Sequence, residues 1–510
     1  MTASDHHDEL IQGHVRELPS QFSLLSLLAF AFSIMNSWVA FVSLLVTNLT
    51  LGGPGLCLWA TIVACAAATI IAMGLAELVS AFPSSGGQYH CALMVYPLRY
   101  RAAAAFATGW LSVLGYLFTT ASSAIFVAES IMGVAEIYYP AFAAQRWQIW
   151  CIYALMLILA TVAVTVWPSL VPRTQSSFFG ASVLGMLVIT IAVLAASPTK
   201  QSAAVALVNY DNSSGWPSGI SFMLATGQSM WSFACVDSAT HMAEEIPRPE
   251  KNVPLAMLLG MLIGLVTMVG FTLAMLFSAT DFDQIATSAA PMYECFIQAF
   301  DSPGASLFLT IWVIIVYFGS CVGLITTTGR LIWAFSRDNG LPFSSVFATV
   351  NRQLLVPANA NIATCVFCLA YGCLYIGSPV AFNTFISTAI LFLSLSYTVP
   401  QIPLLFHKNR DQCLPPRPFS LGRFLGPFCN LFSIAWVLLY ALLFSFPLVI
   451  PTTLADMSYV SVVLVASIVF VGSLWFLGGK RSSFTGPLQY MEAVHADLCT
   501  ITNYKDYYGL

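Results

Sequence analysis

Gly227-Gln228-Ser229-Met230-Trp231-Ser232-Phe233-Ala234-Cys235-Val236-Asp237-Ser238-Ala239-Thr240-His241 sets one carboxylate deep inside an apolar run covering 218–242. A bilayer core of about 30 Å is crossed by about 20 apolar residues in a helix, so this run is long enough to span one. A carboxylate at that depth costs about 3 kcal/mol on insertion scales and needs a reason. The same ruler, moved outward along the chain, gives twelve spans. They fall at 22–46, 55–79, 102–128, 147–167, 176–196, 218–242, 254–279, 304–329, 359–377, 381–406, 428–450 and 457–477. Composition agrees: of 510 residues 58% are hydrophobic and 8% charged, where a soluble domain carries about 25% charged residues. Mean hydropathy is +0.82. With so few charges and a net charge of −4, a soluble enzyme, a disordered regulator and a nucleic-acid binder are excluded, the last for want of a basic face. The expected fold is an all-α polytopic membrane protein embedded in a lipid bilayer.

Orientation follows from the 18 Lys and Arg residues. With both termini cytoplasmic, every one except Arg146 and Lys200 falls on the cytoplasmic side, as the positive-inside rule demands. The outer loops are read as acidic, with Glu129, Glu136, Asp211, Asp281, Asp283, Glu294, Asp301 and Asp456. Two sequons also fall on the outer side. Asn48 sits close to the membrane, which leaves Asn212 as the glycosylation candidate. The segment 281–301 is too long for a turn and carries Met292, Phe296 and Phe300 at helical spacing, so short surface helices are expected there. The tails, 1–21 and 478–510, leave no room for a second soluble domain, and no cleavable leader is read at the N-terminus. His6, His7 and His14 are taken as solvated. Cys365 and Cys368, a CxxC inside an apolar run, are taken as small packing residues.

On these boundaries Asp237 is the one carboxylate well inside a span. Two readings of it are compatible. It caps a half-helix after a break, its side chain meeting amides near Ala239 or Thr240, or it exchanges a proton or faces a cationic group. His241, four residues on, lies within helical reach and is either packed or part of a proton relay. In the first span, Asn36, Ser37 and Trp38 interrupt an apolar helix. They are either interhelical glue or the lining of a polar cavity.

Several motifs, taken in order, resemble a known family. Pro83-Ser84-Ser85-Gly86-Gly87-Gln88-Tyr89-His90, preceded by Ala76-Glu77-Leu78, resembles the hallmark after the second helix of amino acid–polyamine–organocation permeases. Trp231 through Ala239, running into Glu244-Glu245-Ile246-Pro247, resembles the sixth helix of that superfamily, and Arg330 through Pro342 the end of its eighth. Met35-Asn36-Ser37-Trp38 together with Asp237 through Glu245 is similar to the fungal amino acid/choline branch, which includes GABA and choline permeases. The resemblance covers about 20–480.

It implies a twelve-helix transporter domain over 22–477, with inverted repeats at 22–196 and 218–406 and two appended helices at 428–477. It also implies breaks in the first and sixth helices, where backbone groups meet the substrate. Carried over, the substrate-binding positions are Asn36, Ser37, Trp38 and Val39, then Phe233, Ala234, Cys235 and Val236, with Trp231 as an aromatic gate and Asp237 beside the break. The family's glycines are replaced at Asn36-Ser37-Trp38 and at Cys235, which disfavours close backbone approach. That departure favours an ω-amino acid such as GABA or a quaternary amine such as choline, for which Trp38, Trp231, Phe233 and Asp237 supply aromatic faces and counter-charge. The implied activity is secondary transport, with protons as the coupling ion through Asp237 and His241. No cofactor is implied, and no GxxxxGK[ST] loop for ATP is present. A non-transporting nutrient receptor and an exchanger of polyamines or other nitrogenous metabolites are the alternatives. The plasma membrane is the expected location, with the vacuolar membrane as the other option.

Overall fold

The computed structural model describes residues 17–407, 410, 414–453, 457–484 and 486. The segments 1–16 and 487–510, which hold most of both expected tails and the three N-terminal histidines, lie outside the described residues. Among the described residues the regular structure is helical, apart from one isolated β-bridge between Asn351 and Val356. This is what a chain in hydrocarbon must do, because lipid offers backbone amides no partner.

The first helices are α1 (Leu24–Met35), α2 (Ser37–Ala81), the short α3 (Gln88–Val95), α4 (Arg101–Tyr138), α5 (Arg146–Val166) and α6 (Val171–Ala196). Ser23 starts α1 with a reciprocal capping box to Ser26, satisfying amides the first turn leaves open. The stretch Leu24–Ala81 is apolar over 58 residues, about three times the length one crossing needs. It is divided at Asn36 and again at Gly52-Gly53, where the backbone leaves the helical region. Gly53 has φ 76°, a conformation open to glycine, and Pro54 starts the next arm. Asn48 Nδ2 and Thr61 Oγ1 lie 3.1 and 3.2 Å from the same Ser229 Oγ. A straight helix would hold those two residues about 20 Å apart, so the chain reverses at the glycine pair.

The main elements that follow, short turns aside, are α7 (Ser218–Ser229), α8 (Val236–Glu245), α9 (Pro249–Ser278), α10 (Phe282–Thr287), α11 (Pro291–Phe300), α12 (Pro303–Arg337), α13 (Ala358–Gly377), α14 (Pro379–Thr398), α15 (Gly422–Leu443) and α16 (Val460–Phe476). Pro249, Pro291 and Pro303 open their helices at the first turn, where a missing N–H costs nothing. Nine stretches among the described residues are long and apolar enough to cross a membrane, Leu24–Ala81 being counted as one. Large apolar side chains stand exposed along their outer faces, including Ile158 and Val162 of α5, Leu262 and Val266 of α9, and Ile311 and Ile315 of α12. Water would penalise such patches, whereas lipid accepts them. The protein is therefore a multi-pass integral membrane protein.

One boundary is corrected. The helix of the third span, read at 102–128, continues beyond it, α4 running on to Tyr138. Glu129 and Glu136, expected in an outer loop, lie on that helix. Their charge closes an apolar sequence window, yet both line a cavity and need not meet lipid.

Candidate functional site

The first break is a single residue. Asn36 takes the left-handed conformation, φ 34° and ψ 58°, which asparagine tolerates better than most residues. Its side chain is tied to α6: Trp38 Nε1 donates to Ser182 Oγ at 2.8 Å, and Ser182 Oγ donates to Asn36 Oδ1 at 2.8 Å. The Trp38 ring lies against Phe271 of α9, centroids 4.9 Å apart, and is fully buried. It faces packing rather than an open cavity. Beside it Ser37 Oγ is buried without a partner, and Val39 is fully buried.

The second break is wider. After α7 the chain makes one 3₁₀ turn at Met230–Phe233, extends at Ala234 and turns left-handed at Cys235, φ 61°. It then continues as α8, a ten-residue 3₁₀ helix, where runs beyond three or four residues are uncommon. Asp237 does not cap α8 with its side chain. Instead Oδ1 accepts from Tyr116 and Tyr397 hydroxyls at 2.7 and 2.6 Å, and Oδ2 lies 2.6 Å from Gln88 Nε2 and 3.2 Å from His241 Nε2. Four neighbours saturate the carboxylate and join α8 to α3, α4 and α14. His241 Nδ1 meets the Ser85 carbonyl at 3.0 Å. A carbonyl only accepts, so Nδ1 carries a hydrogen. The Nε2–Oδ2 contact then shares one proton, held either by the ring or by the carboxyl group.

The two breaks adjoin, α1 packing on α8 and α2 on the turn at 230–233. The first break packs directly on α12: Ser320 Oγ donates to the Ser33 carbonyl at 2.6 Å, and Ile34 packs on Gly323. A cavity of about 20 Å³ remains beside the second break, touched by Phe233, Ala234, Val236 and Tyr397. It is large enough for a water molecule.

The two ends of the bundle differ. At one end a cavity of about 370 Å³ opens between the second arm of α1–α2, α4, α11 and α12. Its floor is aromatic: Trp231 meets Phe126 edge-on at 6.0 Å, and Phe126 stacks on Tyr317 at 6.0 Å and 15°. Glu129 faces it, accepting from the Tyr375 hydroxyl at 2.9 Å. The opposite end, which carries the described ends of the chain, is sealed. Arg330 pairs with Glu245, and Arg337 with Glu244. Gln21 and Phe22 amides donate to the Glu245 carbonyl at 3.1 Å, and the Tyr89 hydroxyl donates to Asp338 at 2.9 Å. Nearby, Glu77 accepts from Arg410 and Arg417, pinning the segment before α15 to α2. Such buried pairs hold only because both charges are present; removing one partner leaves the other stranded.

The sequence profile described as "Amino acid permease" matches residues 22–469. The chain belongs to the amino acid permease family. It is similar to the choline transporter of Saccharomyces cerevisiae, 35% identical over 468 residues covering 91% of this chain and 82% of that protein. It is also similar to the swainsonine transporter swnT of Arthroderma benhamiae, 29% identical with 93% of each chain covered. Among solved structures, the Eremococcus coleocola manganese transporter superposes with a TM-score of 0.52 over 98% of this chain and 97% of that one, at 12% identity. That likeness is of fold.

Seen as a permease, the motif residues acquire positions. Gln88, inside the Ser84–His90 hallmark, is the residue that reaches Asp237. Tyr116 and Tyr397 escaped the sequence reading because a tyrosine in an apolar helix reads as packing, and their partner lies more than a hundred positions away. Asn212 closes a turn, its Nδ2 donating to the Trp216 carbonyl at 2.5 Å, so a glycan there requires that turn to open. Asn48 is fully buried.

Proposed function

We propose that this permease is a secondary transporter of a small amine or amino acid, choline-like amines and GABA being the leading candidates, coupled to protons by alternating access. The observation that carries the reading is the position of two adjoining helix breaks between a cavity at one end of the bundle and an ion-paired seal at the other. Broken helices at mid-membrane are how transporters offer backbone groups to a substrate. In this reading the substrate meets the backbone at Asn36, Ser37 and Val39 and at residues 233–236 once the bundle loosens, with Trp231 as the gate. Asn36 and Cys235 occupy matching places in two inverted repeats, 22–196 and 218–406, and the long α4 and α12 are a second matching pair. Helices in 428–477 are the appended ones, making twelve crossings in a domain of 22–477.

Proton coupling rests on Asp237 and His241. The pair shares one proton and is ringed by Gln88, Tyr116, Tyr397 and Ser85, so a change in protonation alters ties to three other elements at once. Support for an amine comes from the similarity to a choline transporter and from a cavity that carries carboxylates. The termini are taken as cytoplasmic on the distribution of Lys and Arg, and the plasma membrane as the location.

The test is uptake of labelled choline, GABA, and neutral and basic amino acids into cells expressing the full chain, at two external pH values and with an uncoupler. Accumulation that rises at acid pH and collapses with the uncoupler is expected. Uptake indifferent to both would point to exchange or facilitated diffusion, and binding without accumulation to a receptor.

A further inference from the structure

We propose that the cavity above the aromatic floor is a second site, in which Glu129 receives an organic cation before it passes Trp231. The proposal rests on the cationic-amine reading above and adds to it a staging site distinct from the helix breaks. A cavity of about 370 Å³ is at the small end of ligand pockets, which suits a molecule the size of choline.

Its chemistry is one-sided. Among the described residues no Lys, Arg or His lines it, while Glu129, Glu136 and the aromatic side chains of Phe126, Tyr293 and Tyr317 do. The two carboxylates are not equivalent. Glu136 is engaged by the Ala144 amide at 2.5 Å and helps shape the rim. Glu129 accepts one hydrogen bond, from Tyr375 to Oε1, and no ion pair to it is found among the described residues. The nearest basic residue in sequence, Arg146, donates instead to the Gly377 carbonyl at 3.1 Å.

The Tyr317 hydroxyl adds a polar point to the aromatic floor. Tyr317 is 7% exposed, lines the cavity, and its hydroxyl lies within reach of Ser43 and Trp231. A ligand with a cationic head toward Glu129 and a hydroxyl or carbonyl toward Tyr317 fits this lining. Aromatic walls favour a quaternary or alkylated ammonium over a hydrated metal ion.

The experiment measures choline uptake by full-length wild type, Glu129→Gln, Glu129→Asp and Tyr375→Phe, with two competitors. Tetramethylammonium carries the charge, and 3,3-dimethylbutan-1-ol is the neutral carbon isostere of choline. In wild type the cation is expected to compete and the isostere not. Glu129→Gln should raise the KM for choline about tenfold, the effect of losing one partly solvated charge contact, and lose the preference for the cation over the isostere. Glu129→Asp should restore that preference, which a merely structural role would not do. Tyr375→Phe should keep it. Unchanged KM and unchanged preference in Glu129→Gln overturn the proposal while leaving the transport reading intact. Absence of any cation uptake by wild type, with GABA or an amino acid still accumulated, overturns the cationic-amine reading and this proposal with it. If Glu129→Gln does not reach the membrane, the competitor preference of Tyr317→Phe, expected to fall against choline but not against tetramethylammonium, decides the site.

Discussion

The two helix breaks solve one geometric problem with different chemistry. At Asn36 a single left-handed residue is held by neutral groups, Ser182 bridging Asn36 and Trp38 across to one neighbouring helix. At Cys235 the chain opens over two residues, continues as a 3₁₀ helix, and is held by a carboxylate that gathers groups from three other elements. Neutral hydrogen bonds have one useful state. A carboxylate and an imidazole sharing a proton have several, so the first break is suited to be a fixed pivot and the second a switch.

The sharpest way to break this contrast is Asp237→Asn. It keeps the shape but replaces an oxygen that accepts from a donor with an amide that donates. Uptake should fall more than about a hundredfold while the protein still reaches the membrane, since loss of a buried charged partner costs about 3–5 kcal/mol. Uptake within a few-fold of wild type in this variant would end the idea of a switch. His241→Gln removes the shared proton and keeps a hydrogen-bonding side chain. Uptake is expected to drop about tenfold, one to two kcal/mol of lost charge-assisted bonding, and to lose its rise at acid pH. A retained pH response would move proton coupling elsewhere.

At the first break, Ser182→Ala leaves Asn36 Oδ1 and Trp38 Nε1 unmatched. About 1–3 kcal/mol of stability should be lost, read as a lower midpoint in a thermal unfolding assay in detergent, with the pH profile of uptake unmoved. A shifted profile would erase the distinction between pivot and switch. The smallest effect is expected from Cys235→Gly. Cysteine at φ 61° bears about 1 kcal/mol of left-handed strain that glycine does not, and glycine's greater freedom in the unfolded chain offsets most of that gain, so the thermal midpoint should stay within about 2 °C of wild type; a larger shift in either direction would show that the side chain at 235 does more than occupy the turn.

Most of the fold was legible in the sequence because lipid leaves the backbone few choices and because hydropathy reads through long windows. A break before Asp237 was legible from a carboxylate standing where apolar residues are expected, whereas the break at Asn36 was legible only through the family resemblance carried by Met35-Asn36-Ser37-Trp38. Glu129 was misplaced for the same reason turned round: a charge closes a hydropathy window even when the helix continues beside a wet cavity. The direction of Trp38 was not legible, because which face of a short arm meets Phe271 depends on how the helices cross. The shell of Asp237 was not legible either, as Gln88, Tyr116 and Tyr397 converge on it only in three dimensions.

Ser229 has a mechanical consequence. Its hydroxyl lies within hydrogen-bond distance of both Asn48 and Thr61, on the two arms that diverge from the glycine turn. Three helical segments are thus riveted at one point, and pushing α7 drags the other two along. Such a unit behaves as a rigid lever rather than as three independent rods. If the bundle rocks as proposed, movement at one tip of this unit is geared to movement at the other, which would disfavour opening both ends at once.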